Sequence, residues 1–117
     1  MTAVSEPDCL FCKIAGGDIP AEVLATSPNA IAIRDISPQA PLHALVIPKQ
    51  HHPNVARLAQ NDPELLAELV ELGENVAKTQ ADGEFRLIFN NGARAGQSVM
   101  HVHGHVLGGT ELGWNPA

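Results

Sequence analysis

Aromatic side chains are scarce in this 117-residue chain, which has no tyrosine, one tryptophan and three phenylalanines. With 44% hydrophobic residues, its core must be packed by aliphatic side chains. Positive charge is also short: seven lysines and arginines stand against thirteen aspartates and glutamates, a formal net charge of −6. A surface of that sign argues against broad nucleic-acid or anionic-membrane binding, yet admits one nucleotide in a local pocket. No apolar run approaches the roughly 20 residues of a membrane span. The amino-terminal residues are acidic and lack the basic segment of a secretory signal, so a cytoplasmic location is expected. Cysteine is limited to Cys9 and Cys12. In a reducing compartment their Cys-x-x-Cys spacing reads as half a metal site or as a redox pair. The length suits one domain, expected over residues 9–117 after a flexible tail at 1–8.

Histidine, by contrast, is concentrated. Three of the six histidines fall in His101-Val102-His103-Gly104-His105-Val106-Leu107-Gly108-Gly109. On a strand, the period of two places all three imidazoles on one face and Val102, Gly104 and Val106 on the other. A helix would disperse them, and Gly104 would weaken it. Two chemistries fit the alternation: metal ligation and nucleophilic attack on phosphorus.

The rest of the chain supplies a scaffold. Phe11–Ala15 reads as a helical turn stopped by Gly16-Gly17 and Pro20. Ala21–Ala25 and Ala30–Arg34 read as strands joined through Ser27-Pro28-Asn29. His43–Ile47 reads as an apolar strand closed by Pro48, with His43, Leu45 and Ile47 on one face. Asn61 or Asp62 caps a long helix, Pro63 suits its first turn, and Glu64 complements the dipole. Its apolar stripe is expected to be Leu65, Leu66, Leu69, Val70, Val76 and Ala77, with Gly73 marking a close approach. Glu68, Glu71 and Glu74 should form its wet face. Glu84–Phe89 reads as a further strand, followed by a glycine-containing loop from Asn90 to Ser98. Trp114, in a short polar tail, is expected to pack on its own domain or on a partner subunit. One long helix cannot supply the crossovers of a parallel sheet. The expected fold is therefore α+β: a five-stranded, mainly antiparallel sheet with one long helix packed on it.

For phosphorus chemistry, a neutral imidazole is a competent nucleophile if its far nitrogen is held as N–H, as a backbone carbonyl can do. His103, flanked on both sides, is the best placed. Backbone N–H groups of the Gly92–Ser98 loop and the Ser98 hydroxyl suit phosphate oxygens. For metal ligation, Cys9 and Cys12 offer two ligands of a zinc site, with the others drawn from His43, His51, His52 and the triad. As a redox pair they lack the usual position opening a long helix after a strand.

Five segments carry a family likeness: Cys9-Leu10-Phe11-Cys12-Lys13-Ile14, Asp35-Ile36-Ser37-Pro38-Gln39-Ala40-Pro41, Leu45-Val46-Ile47-Pro48-Lys49, Gly96-Gln97-Ser98-Val99 and the histidine segment. Together, from Cys9 to Trp114, they resemble the histidine triad superfamily. Within it they resemble the histidine triad nucleotide-binding, or purine nucleoside phosphoramidase, branch, which the Gly108-Gly109 ending and Trp114 favour.

The resemblance implies that His103 attacks the α-phosphorus, and that water releases a nucleoside monophosphate from the nucleotidyl-histidine. It implies that His101 and His43 support His103. His105 and Ser98 would contact phosphate and leaving group, with Gly96 and Gln97 beside them. Asn90 would hold ribose or phosphate and Asp35 the ribose hydroxyls, while Ile14, Ile19, Ile33 and Ile36 line a purine slot. Some relatives bind zinc at positions matching Cys9, Cys12, His51 and His101. That implies a structural zinc and no organic cofactor, and leaves His52 surplus and facing solvent. It also implies a homodimer in which two sheets join and Trp114 reaches the partner's site. The expected substrate is a purine nucleotide or nucleoside phosphoramidate. Alternatives are dinucleoside polyphosphate hydrolysis and a nucleotide-binding regulatory module. Arg34, Met100 and Gly104 depart from the family pattern, Gly104 at an expected loss of packing.

Overall fold

Two adjacent strands with alternating small and branched residues set the two faces of the sheet. In β2 (Ala30–Arg34) and β3 (Leu42–Pro48), Ala30, Ala32, Ala44 and Val46 face one side, and Ile31, Ile33, Leu45 and Ile47 face the other. The computed structural model describes residues 9–114, so the tail expected at 1–8 and residues 115–117 lie outside it. β1 (Val23–Ser27), β4 (Phe85–Phe89) and β5 (Gly104–Gly108) complete one antiparallel sheet of order β1-β2-β3-β5-β4. β1 and β2 meet in a tight hairpin that pairs Ser27 with Ala30, and β1 begins two residues later than expected.

The small side chains of the first face admit α3 (Pro63–Gln80). Asp62 caps it by accepting the Leu65 N–H at 3.1 Å, and Pro63 occupies its first turn. Leu65, Leu69, Leu72, Val76 and Ala77 are buried against the sheet. Each fully buried leucine contributes about 1.5–3 kcal/mol. The stripe differs from expectation: Leu72 belongs to it, Leu66 is half-buried and Val70 is 42% exposed. A step of three or four residues from Leu65 leads through Leu69 and Leu72 to Val76 and rotates Val70 outward. Gly73 does mark a close approach, since a Cβ there would lie 3.3 Å from Val106 Cγ2.

Glu68 is not free in solvent but half-buried. It accepts the Ser27 hydroxyl, the Asn29 N–H at 2.8 Å and the Asn29 side-chain amide at 3.0 Å, tying α3 to the β1–β2 hairpin. Burial opposes its charge, but these donors outweigh burial and hold the carboxyl below its usual range.

Among the described residues two further α-helices accompany the long one. α1 (Leu10–Ala15) covers the opposite face of the sheet through Phe11, which packs with Ile31, Ile33, Leu45 and Ile47. α2 (Val55–Asn61), unanticipated, is capped by Asn54, buries Leu58, and donates its Ala56 N–H to Asn91 at 2.9 Å. Among the described residues no helix is long and apolar enough to cross a membrane.

β5 inserts between β3 and β4, so its first residues sit at the centre of the sheet end. The strand starts at Gly104; His101, Val102 and His103 lead into it, with the Val102 N–H bonded to the His52 carbonyl at 2.9 Å rather than to a strand. Val102 and Val106 nevertheless enter the α3 core. Gly104 costs no packing here. A Cβ would lie 2.8 Å from Phe89 Cζ, so the phenylalanine ring already fills the space a larger residue would take.

Candidate active site

His101 is completely buried and fixed at both ring nitrogens. Its Nε2 donates to the Pro48 carbonyl at 2.8 Å, leaving a lone pair on Nδ1. Burial holds its conjugate acid down to about 4; the Pro48 carbonyl acts in the other direction, and His51, His103 and His52 add to the depression. The main-chain carbonyl of His101 accepts the His103 Nδ1–H at 2.9 Å. That bond fixes the tautomer of His103, whose Nε2 carries the free lone pair.

His105 and His43 form a second unit. The Gln39 N–H donates to His43 Nδ1 at 3.0 Å, so the His43 proton resides on Nε2. That proton is donated to His105 Nδ1 at 3.0 Å, with Asp35 Oδ2 3.4 Å away as a second acceptor. His105 is thereby held with its own proton on Nε2. Burial, then His103 and His43, lower the His105 pKa, while Asp35 raises it. His43 is thus a neighbour of His105 rather than of His101 or His103.

Two cavities meet at His105. One, of about 260 Å³, is lined by the polar Ser98, His103, His105 and Asp35 and by Ile14, Ile33 and Ile36. Ile36 is fully exposed at its mouth. Leu10, Phe11, Arg34 and Leu45 also line it. Phe11 packs edge-on against His103, with ring centroids 4.8 Å apart. The signal for Phe11 was available: it is one of three phenylalanines in the chain and lies inside the Cys-x-x-Cys segment. The other cavity, about 550 Å³, lies among His43, His105, Asn90, Arg86 and Glu111.

The other expected site residues are spread over the glycine loop, the second cavity and the tail. Asn90 faces the second cavity, and Ile19 lines neither. The Gln97 side chain is spent on the loop itself: Oε1 accepts the Gly92 N–H at 2.8 Å, and Nε2 donates to the Pro53 and Val99 carbonyls at 2.6 and 3.0 Å. Gly96, at φ +98°, ends the short 3-10 turn Ala93–Ala95 and lies against the Asn90 amide. Trp114 is 90% exposed and does not pack on the described residues of its own domain.

On the far side of His101, Cys9, Cys12, His51 and His101 converge. Their ligand atoms all lie within 4.8 Å of one another. His101 Nδ1 is 3.2 Å from Cys9 Sγ, 3.4 Å from Cys12 Sγ and 3.2 Å from His51 Nδ1. A tetrahedron built on Zn–N and Zn–S bonds of about 2.0 and 2.3 Å has edges of about 3.3–3.8 Å, so the donor set fits a closed four-ligand metal site. Burial pushes the Cys9 thiol up, a proton that a bound metal displaces. His52 does not face solvent: it is 4% exposed, its Nε2 is buried without a hydrogen-bond partner among the described residues, and burial lowers its pKa.

Comparison with known proteins agrees with this geometry. A family model described as the scavenger mRNA decapping enzyme C-terminal binding domain matches residues 8–113. An uncharacterised HIT-like protein of Synechocystis is 40% identical over 110 residues, which cover 93% of this chain and 96% of that protein. The crystal structure of a HIT family hydrolase from Legionella pneumophila superposes with a TM-score of 0.88 at 44% identity, covering 94% of this chain and 100% of the other. A HIT family hydrolase from Clostridium thermocellum gives 0.90 at 36% identity, covering 97% and 100%. The histidine cluster, the sheet that carries it and these likenesses lead to one assignment: the chain belongs to the histidine triad (HIT) family.

Proposed function

We propose that the chain is a purine nucleoside phosphoramidase: a hydrolase that cleaves a P–N bond to a nucleoside 5′-monophosphate through a covalent nucleotidyl-histidine. The observation that carries this reading is the His103 Nδ1–H bond to the His101 carbonyl, which leaves Nε2 free beside a cavity that Ser98, Asp35 and His105 share. His103 Nε2 attacks phosphorus as the P–N bond breaks. The His105 Nε2–H and the Ser98 hydroxyl donate to phosphoryl oxygens and the leaving atom. Water then cleaves the phosphorus–histidine bond. Overall, its hydroxyl goes to phosphorus and its proton to the amine, and two lower barriers replace one high one.

Asp35 receives the ribose hydroxyls, and Ile14, Ile33, Ile36 and Leu10 sandwich the base. Asn90 acts from the side of the second cavity, on phosphate or leaving group. Gly96 and Gln97 shape the loop that presents Ser98, and Ile19 supports α1 rather than the base.

Zinc is the metal we assign to Cys9, Cys12, His51 and His101, where it supplies a structural cross-link between α1 and the sheet. The chain acts as a homodimer. β4 lies at the edge of the sheet, open to pairing, and Trp114 is exposed and free to reach the partner's site. The net charge of −6 argues against nucleic acid as ligand.

The test is product analysis with adenosine 5′-phosphoramidate and with a dinucleoside polyphosphate. Release of ammonia and adenosine monophosphate from the first supports the reading. Cleavage of only the second reassigns the chain as a polyphosphate hydrolase, and binding without turnover of either reassigns it as a regulatory module.

A further inference from the structure

The residues around α1 serve two sites at once. Cys9 and Cys12 belong to the metal-ligand cluster, whereas Leu10, Phe11 and Ile14 line the cavity that holds His103 and Ser98. A helix of six residues has no stability of its own and takes its position from what holds it. Here that is the buried Phe11 and the two cysteines. His101 is divided in the same way: Nδ1 faces the cysteines, while the carbonyl orients His103. Phe11 adds a second connection, its ring centroid 4.8 Å from that of His103 and 6.0 Å from that of His101. Two physically continuous routes therefore run from the cluster to the nucleophile, one through a backbone and one through a ring contact.

We propose that the Cys9, Cys12, His51 and His101 cluster controls nucleotide binding. A thiolate-binding divalent ion such as zinc, held there, sets the α1 wall of the cavity and the orientation of His103, and a nucleotide in the cavity tightens the hold on the ion. The inference rests on the reading of that cavity as the nucleotide site. Without an ion, the thiols keep their protons, and only weak hydrogen bonds between the sulfurs and ring nitrogens, at 3.2–3.4 Å, tie α1 to His51 and His101 in place of four metal bonds. His101 cannot yield by rotation, because its Nε2 is bonded to the Pro48 carbonyl at 2.8 Å. The side that yields is α1, and with it Leu10, Phe11 and Ile14. Linkage makes the effect reciprocal, because each ligand changes the affinity for the other by the same factor.

The test compares zinc-loaded and chelator-stripped protein by calorimetric titration with adenosine monophosphate. It also measures zinc affinity with and without adenosine monophosphate, by competition with a chromophoric chelator. The expected result is about tenfold tighter nucleotide binding in the loaded form, with zinc affinity raised by the same factor. Equal nucleotide affinity in folded loaded and stripped forms overturns the proposal and leaves the functional reading standing. Failure of both forms to bind adenosine monophosphate overturns the functional reading itself. Far-UV circular dichroism monitors whether stripping unfolds the chain. If it does, His51→Gln decides, since His51 does not line the cavity. Nucleotide affinity of this variant should rise with zinc occupancy as zinc is added, and an affinity indifferent to zinc overturns the proposal.

Discussion

The Nδ1–H of His103 donates to the main-chain carbonyl of His101 at 2.9 Å, while the His101 imidazole points away toward Cys9 and Cys12. One residue thus holds the tautomer of His103 with its backbone and joins a cluster of potential metal ligands with its side chain. The alternation of the triad makes this division possible, because residues two apart share a face and the intervening Val102 anchors the segment in the opposite core.

In the proposed mechanism the His43–His105 pair acts through tautomer control, so His43→Ala should lower kcat more than it raises KM. Losing one buried hydrogen bond costs about 1–2 kcal/mol, a factor of about 5–30 in rate. Steady-state kinetics on a phosphoramidate substrate measures it. His43→Gln, whose amide can still donate to His105 Nδ1, should recover part of the loss.

The pKa of His105 is lowered by burial and by the facing His103 and His43, with Asp35 opposing. Its imidazole resonance should titrate below the ordinary histidine value of 6.5, and Asp35→Asn should move it lower still. As pH falls through the unfolded value of about 6.5, the unfolded chain takes up a proton that the folded chain refuses. The stability linked to His105 is therefore complete above that pH and declines on acidification, until the folded value is reached. Two-dimensional NMR titration and urea melts at several pH values check both statements.

Phe89 and Gly104 test the packing account. Gly104→Ala places a methyl 2.8 Å from Phe89 Cζ, and should destabilise by about 1–3 kcal/mol through overpacking. Phe89→Leu in the same chain should relieve part of that cost. Denaturant melts of the two single variants and the double variant give the coupling directly.

The four-ligand cluster should hold one zinc ion per chain, read by elemental analysis of purified protein. Cys12→Ser should lose the ion and lower the melting temperature, because α1 loses its cross-link to the sheet. Full zinc occupancy in Cys12→Ser contradicts the assignment of the site.

Local periodicity explains why so much of this site is legible in the sequence. The alternation of His101, His103 and His105, the Cys9–Cys12 spacing and the Asp62-Pro63 helix start are short-range patterns, and each element forms where expected within a few residues. Features that depend on distant partners were not legible. His52 looked surplus but is buried behind the triad, its carbonyl taking the Val102 N–H. Glu68 looked like one of three solvated glutamates until the hairpin donors of Ser27 and Asn29 met it. Gly104 looked like missing bulk because the ring that fills its place comes from Phe89, on the neighbouring strand. α2 gave no long apolar stripe; it buries only Leu58 and relies on Asn54 and Asn91 for its first N–H groups.

The most direct test of the central claim is a rapid acid quench of the protein turning over adenosine 5′-phosphoramidate, read by intact mass. The account predicts an adenylyl adduct on the wild-type chain, mapped to His103, and neither adduct nor amine release with a folded His103→Ala variant. Amine release at the wild-type rate by His103→Ala, or an adduct mapped to another residue, would contradict it.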